Sequence, residues 1–322
     1  MRDEDKRGYL DSIVKVSKQE ISRDELASRL GAPNQPLVID VLPEEEYAAA
    51  HLPGAKNACI FNVSFLDDVR NLASDQSKPL VLYGASLHDL ASATATEKLL
   101  AAGYTDVTDY RGGLEDWRTA GHPIETNPGI PDRNITPIDG IHRINVEKSR
   151  IEWTGRNLTS AHSGTIKLYA GQIEIRDSHP IRGEFTLDMD SIENLDLPDS
   201  KMRQILIQHL KSDDFFDVRR FPTAEFRLSK FTALPGARRG NPNWEVTGGL
   251  TLKSVTNEIA FPVIIGLTPD GLIAADAHFD IDRTRWNVRY GSGKFYEKLG
   301  KHVVHDEVSL ALKLVSRSWR PP

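Results

Sequence analysis

Few residues in this chain have the type and spacing to make or break bonds. Cys59 is its only cysteine, which excludes an internal disulfide and a cysteine-based metal cluster; its simplest role is that of a small buried hydrophobe. Imidazoles and carboxylates crowd together at His302, His305, Asp306 and Glu307. Two histidines three apart on a strand point to opposite faces, so no metal site is expected there. The stretch Ser200 to Phe226, SKMRQILIQHLKSDDFFDVRRFPTAEF, points instead to apolar storage. Met202, Ile205, Leu206 and Leu210 recur on one helical face. Ser212 reads as the cap of a second short turn, followed directly by Phe215 and Phe216. Ala224, Phe226 and Leu228 then alternate with Glu225, Arg227 and Ser229 as a half-buried strand. One helix with paired aromatics at its exit, set among strands and turns, predicts a lid over a closed sheet whose interior can hold something apolar.

The elements that must position these residues divide into two sets. A length of 322 residues predicts about two domains. With 39% hydrophobic and 27% charged residues, the composition is that of a globular protein with full cores. A net charge of −6 argues against nucleic-acid binding, which needs a basic footprint. The opening residues MRDEDKRGYLDS are charged, with no apolar segment behind them, and apolar runs elsewhere are short. Neither a signal peptide nor a membrane span is expected, and the cytoplasm is the expected location.

Residues 1–126 read as a small α/β domain with an unassigned extension over 1–20. Ser22 and Glu25 form a capping box for a helix over 23–30, which Gly31, Pro33 and Pro36 end. Leu37-Val38-Ile39 and Pro79 to Tyr83 are apolar runs suited to strands buried on both faces, and Val107 marks a third strand. Helices are expected over 43–50, 92–102 and 114–117, so strands alternate with helices around a parallel sheet. Residues 127–140, rich in proline and glycine, read as a linker. Over 141–322 the period is two, as in Phe185, Leu187 and Met189 or Val308, Leu310, Leu312 and Leu314. About eight antiparallel strands with one apolar face make a barrel or sandwich.

The first domain resembles the rhodanese family across about residues 18–125. The resemblance is carried by Ile39-Asp40-Val41, by Glu46-Tyr47 with His51-Leu52-Pro53-Gly54-Ala55, by Val81-Leu82-Tyr83, and by Tyr110-Arg111-Gly112-Gly113-Leu114 with Trp117. It implies sulfur transfer through a cysteine placed directly after the second buried strand, where backbone N–H groups lower the thiol's pKa. That position is Gly84 here, so no catalytic residue is expected. Leu42 also replaces an arginine that many active members carry. The loop Gly84, Ala85, Ser86, Leu87, His88 and Asp89 can still offer amides to an anion, with Ser86 and His88 adding donors; a merely solvated loop is the alternative. The implied role is a docking or regulatory module for a protein partner, with sulfurtransferase as the disfavoured reading.

The second domain resembles the YceI family of lipocalin-like barrels. Its marks are Trp153-Thr154-Gly155, His162-Ser163-Gly164-Thr165-Ile166, the run His209 to Asp217, Phe221-Pro222-Thr223, Gly249 to Leu252, and Asp282-Arg283-Thr284 with Tyr290-Gly291-Ser292-Gly293. The resemblance implies an eight-stranded antiparallel barrel with one lid helix, holding a polyisoprenoid or quinone-like lipid and no other cofactor. Each buried CH2 gains about 0.8 kcal/mol, so such binding needs no reactive group. The expected lining is Phe185, Leu187, Met189, Phe226, Leu310 and Leu312, with Phe215 and Phe216 turned in from the lid. Trp153, His162, His209, Arg283 and Tyr290 are candidate partners for a polar head. Each has a plainer alternative: Trp153 as core, the histidines as partners of backbone groups, and Arg283 as a barrel corner paired with Asp280 or Asp282. A barrel filled by its own side chains would instead favour a partner-binding protein.

Overall fold

The Ser22 hydroxyl accepts a hydrogen bond from the Glu25 amide at 3.3 Å and so opens α1 (Arg23–Leu30), as the capping pattern requires. The computed structural model in which this is seen describes residues 19–126, 139–177, 179–268 and 270–318. The chain divides into two compact units, Met1–Arg133 and Asn134–Pro322. The extension before residue 19 and most of the expected linker, 127–138, lie outside the described residues.

In the first unit α1 is followed by β1 (Leu37–Asp40), α2 (Glu44–Ala49), β2 (Lys56–Asn57), α3 (Phe65–Leu72), β3 (Leu80–Tyr83), α4 (Ala91–Ala101), β4 (Val107–Tyr110) and α5 (Gly113–Thr119). The four strands form a parallel sheet in the order β2-β1-β3-β4. One face of the sheet buries Ile39, Leu82, Phe65, Val69 and Leu99, and the other buries Val38, Val81, Leu26, Leu52 and Trp117. Burial on both sides explains the unbroken apolar runs in β1 and β3. Two elements escape the sequence pattern. β2 has two residues, and α3 has eight, too few for its Phe65, Val69 and Leu72 spacing to declare a helix.

The second unit is a meander: β5 (Gly140–Arg143), β6 (Arg150–Arg156), β7 (Ala161–Arg176), β8 (His179–Asn194), α6 (Ser200–Lys211), β9 (Thr223–Ala233), β10 (Trp244–Leu252), β11 (Val255–Leu267), β12 (Ile273–Asp282) and β13 (Glu307–Val315). Each strand from β6 to β13 pairs antiparallel with the next, and β13 returns to β6 with Leu310 opposite Trp153, closing an eight-stranded barrel. β5 adds a short ninth strand against the C-terminal half of β7. Closure is tightest at Gly164, where a Cβ would stand 1.8 Å from the Glu193 carbonyl and 2.7 Å from the Trp153 ring. Only glycine lets β7 approach β8 that closely beneath the indole. At the β5 end, Ile173, Ile175 and Ile273 pack with Phe231, Ile265 and Leu267 and plug the interior. His302 lies in a 3-10 turn (Gly300–His302) and His305 in the loop before β13, so neither stands on the strand expected for them.

Two carboxylates are sealed in the first unit. Asp40 and Asp109 have no accessible surface, and burial lifts both to about 6. The Leu42 amide donates to Asp40 at 2.8 Å and tempers the rise, while neither Asp109 oxygen has a partner of ordinary hydrogen-bond geometry. A carboxylate whose pKa is raised on folding binds more protons in the native state, so its effect on stability is least adverse below about pH 4 and worsens as pH climbs to about 6. The first unit is therefore expected to lose on the order of 2–3 kcal/mol per buried aspartate across that window. Urea unfolding followed by ellipticity at helical wavelengths, which reports chiefly this unit, should show the loss. Asp109→Asn should roughly halve it, leaving the share of Asp40.

Candidate functional site

The lid is built from both ends. Asp199 caps α6 by accepting from the Met202 amide at 2.8 Å, and Arg203 reaches back to the Leu197 carbonyl at 2.5 and 3.0 Å. At the other end Lys211 bonds the backbone and carboxylate of Asp190, and the Ser212 hydroxyl donates to the His209 carbonyl at 2.7 Å. Lys253, from the turn between β10 and β11, donates to the Phe215 carbonyl at 2.6 Å and pins the aromatic exit against the barrel. The apolar face of α6 is not all turned inward, as its spacing suggests. Leu206 and Leu210 line the interior, but Met202 and Ile205, closer to the start of the helix, stand in solvent.

Beneath the lid lies a cavity of ≈ 360 Å³. It meets a deeper pocket of ≈ 120 Å³ at a waist formed by Ile151, Leu187, Leu250 and Leu310, which line both. Trp153, His162, Met189, His209, Phe215, Phe216, Arg283 and Tyr290 line the upper cavity together with Leu187 and Leu310, and Phe185, Phe226 and Leu312 line the lower pocket. All thirteen residues singled out in the barrel sequence thus border one or other of these two adjoining apolar pockets. The deep pocket is walled by aromatics, with Phe261 and Phe279 stacked at 4.0 Å and Phe226 at 5.7 Å from Phe261. Sequence reasoning missed the waist residues Ile151 and Leu250, although their alternation with polar neighbours carried the signal.

At the mouth, His209 stands edge-on to Phe215 at 4.9 Å and to Tyr290 at 4.6 Å, and its Nε2 lies 3.2 Å from Asp214. His162 places Nδ1 2.9 Å from Asp196, which also accepts from the Ser163 amide and the Asn194 side chain. Burial alone would raise the Asp196 pKa, but these hydrogen bonds outweigh it and hold the carboxyl below its usual value. A carboxylate so fixed favours the proton on Nδ1, which leaves the other ring nitrogen of His162 as an acceptor. Arg283 plays a different part. Its buried guanidinium donates to the carbonyls of Val288, Val304 and His305 at 2.7 to 3.2 Å, with Asp306 at 3.8 Å. The expected partners are thus corrected: Asp282 pairs with Lys294, and Asp280 accepts from Ser309. Burial lowers the Arg283 pKa against the pull of Asp306 and Asp282. The guanidinium clasps the loop that walls the mouth. His302 and His305 border the same opening, yet no group of three His, Cys, Asp or Glu among the described residues is placed to hold a metal.

The loop of the first unit is not an open cradle. Asp89 turns its carboxylate back onto it, accepting from the amides of Ala85 and Ala91 at 3.0 Å each. Arg111 fixes the loop from below through the Leu87 and Asp89 carbonyls, and the Ser86 hydroxyl accepts from the His88 amide. Gly113, at φ +66°, allows α5 to press against the loop; a Cβ there would meet the Gly84 carbonyl at 2.6 Å. A Cβ on Gly84 would come within 2.8 Å of the Asp89 carboxylate. One amide of the expected anion loop, that of Ala85, is thus taken by the chain's own carboxylate.

Residues 142–316 match the model of the YceI-like domain, and residues 22–120 that of the Rhodanese-like domain. The chain belongs to the YceI-like family. The rhodanese-like unit fused to this YceI-like barrel is 34% identical over 93 residues to the thiosulfate sulfurtransferase GlpE of Pseudomonas fluorescens, spanning 29% of this chain and 79% of that one. Among solved structures, Burkholderia cenocepacia BcnA is similar at 24% identity and a TM-score of 0.44, over 54% of this chain and 99% of that one. A polyisoprenoid binding domain from Saccharophagus degradans is similar at 12% identity and a TM-score of 0.39, over 56% of this chain and 99% of that one.

The waist makes chain length testable. Leu187→Trp should block passage from the upper cavity to the deep pocket while leaving the fold within about 1–3 kcal/mol of the parent. In competition among apolar chains of graded length, the variant should lose the longest chain that the parent accepts. Unchanged selectivity would show that the deep pocket is not used.

Proposed function

We propose that the barrel carries an apolar lipid of isoprenoid or quinone-like class, with the rhodanese-like unit as a non-catalytic docking or regulatory module. The observation that carries this reading is the lidded interior itself: apolar, plugged at one end, and bordered by polar side chains only at its mouth. A cavity of about 150 Å³ takes a six-carbon ring. By that measure the upper cavity takes about fourteen carbons and the deep pocket about five, together close to four isoprene units. At about 0.8 kcal/mol per buried CH2, the upper cavity alone offers roughly 11 kcal/mol before the cost of association. A carbonyl or hydroxyl head would then meet His162, His209 and Tyr290. The match to the YceI-like family supports the reading, and the Saccharophagus degradans domain, named for polyisoprenoid binding, is consistent with it. Solvent extraction of the purified full-length protein, followed by mass spectrometry, should recover one apolar lipid in near-stoichiometric amount. If none is recovered and a fluorescent prenyl probe is not taken up, the carrier reading fails.

For the first unit, the relatives named as sulfurtransferases make transfer of sulfur the competing reading. Gly84 supplies no nucleophile, and Asp89 fills the space beside it and accepts from the Ala85 amide of the loop. The parent chain is expected to show no thiosulfate-to-cyanide transfer. Gly84→Cys alone should remain inactive, and adding Asp89→Gly should be required for any gain. A parent rate well above background would overturn the non-catalytic reading.

A further inference from the structure

His162 is the first inward-facing residue of β7. It pairs with Gly155, two places before Gly164 beneath the Trp153 indole, and Ile166 continues the same row down the cavity wall. The period of two thus carries the imidazole into the upper cavity at its mouth. The wall includes the His162 ring but not Asp196, whose carboxylate lies 2.9 Å from Nδ1. The opposite edge of the ring, with Nε2, is the one left for a guest.

What Nε2 offers is set by the atoms behind Asp196. The Asn194 side chain is buried, and its Oδ1 accepts from the Leu197 amide at 3.1 Å. Its Nδ2 is then the donor that reaches the Ser163 carbonyl at 3.0 Å and Asp196 Oδ1 at 2.6 Å. The Ser163 amide donates to the same Oδ1 at 2.7 Å. With two N–H groups upon it that oxygen can only accept, and Oδ2 is left to face the imidazole. An ionised carboxylate has no proton to give, so a neutral His162 keeps its own on Nδ1 and turns the lone pair of Nε2 to the cavity. Of its neighbours at the mouth, Arg283 directs its donors to the carbonyls of Val288, Val304 and His305. Tyr290, His302 and His305 can each donate or accept, so they suit either kind of head. His162 is the residue that tips the choice.

We propose that His162, held in one tautomer by Asp196, makes the mouth select a ligand whose head is a hydroxyl over the same chain ending in a carbonyl or an ether. The inference rests on the carrier reading of the barrel and narrows it to a class of head. A hydroxyl gives its hydrogen to Nε2, whereas a carbonyl or ether oxygen meets a second lone pair there and gains nothing from it. Asp196 acts through the imidazole and is a positioning residue.

The test uses the full-length protein and a tetraprenyl chain ending in an alcohol, a methyl ether or an aldehyde. Each competes with a fluorescent prenyl probe on the alkaline side of the ordinary imidazole range. The parent should prefer the alcohol by about three- to tenfold, the effect of one hydrogen bond. In Asp196→Asn the amide oxygen must take the place of Oδ1, between the Ser163 and Asn194 donors. Its NH2 then faces Nδ1 and drives the imidazole proton to Nε2. The aldehyde and the ether should now bind about threefold more tightly than they bind the parent, a gain that damage to the fold does not produce. His162→Phe should bind the three chains within about twofold of one another, and it decides alone if the asparagine variant does not fold. A parent that binds all three equally, an Asp196→Asn protein that gains nothing for the aldehyde, or a His162→Phe protein that still favours the alcohol overturns the selection while the carrier reading stands. A parent that takes up neither these chains nor the fluorescent probe overturns the carrier reading, and this inference with it.

Discussion

The mouth of the barrel exists because a charged group is buried under it. A guanidinium removed from water is costly unless its hydrogen bonds are met, and a buried charge left without partners is strongly destabilising. Arg283 meets the requirement by gathering three carbonyls from two stretches, Val288 on one side and Val304 and His305 on the other, with Asp306 supplying the counter-charge. That demand, together with the Val304 amide on the Gly291 carbonyl and Lys294 on Asp282 and Asp306, folds the 288–305 loop back on itself and sets Tyr290 against His209 and Phe215. The lid then has an aromatic wall to close on, and Lys253 holds its exit there. Below this collar the interior needs only apolar side chains. The strands supply them by alternation, and several, such as Leu187, Phe226 and Leu310, keep accessible surface because they face space rather than one another.

The parts of this arrangement that were legible in the sequence are those written in local periodicity. Alternation in Val308 to Leu314 and in Phe185 to Met189 fixes which side chains face inward, and the twelve-residue α6 is long enough to show its face. What could not be read depends on chain segments meeting from a distance. The partner of Arg283 is Asp306, twenty-three positions away, and not its neighbours Asp280 and Asp282. Met202 and Ile205 share a helical face with Leu206, but spacing cannot say where the cavity beneath a helix ends. His302 and His305 seemed barred from a common site only because a strand was assumed where the chain forms a turn.

The rhodanese-like unit shows the same limit in another form. Glycine at position 84, where the resemblance implies a cysteine, is legible from sequence alone. That Asp89 then occupies the vacated space does not follow from its type, since an aspartate just before a helix is ordinarily read as a cap. Here one carboxylate does both, with one oxygen on the Ala91 amide at the start of α4 and the other on the Ala85 amide of the loop. In this chain the loop therefore holds a carboxylate of its own.

The isoleucine plug gives the barrel a direction. Among the described residues, Ile173, Ile175 and Ile273 make the base apolar, while His162, His209 and Tyr290 stand at the mouth, so the interior has one apolar end and one polar end. On the carrier reading proposed above, the tail lies toward the isoleucines and the head toward His162 and Tyr290. What the outside world meets is therefore the same whatever the length of the hidden tail.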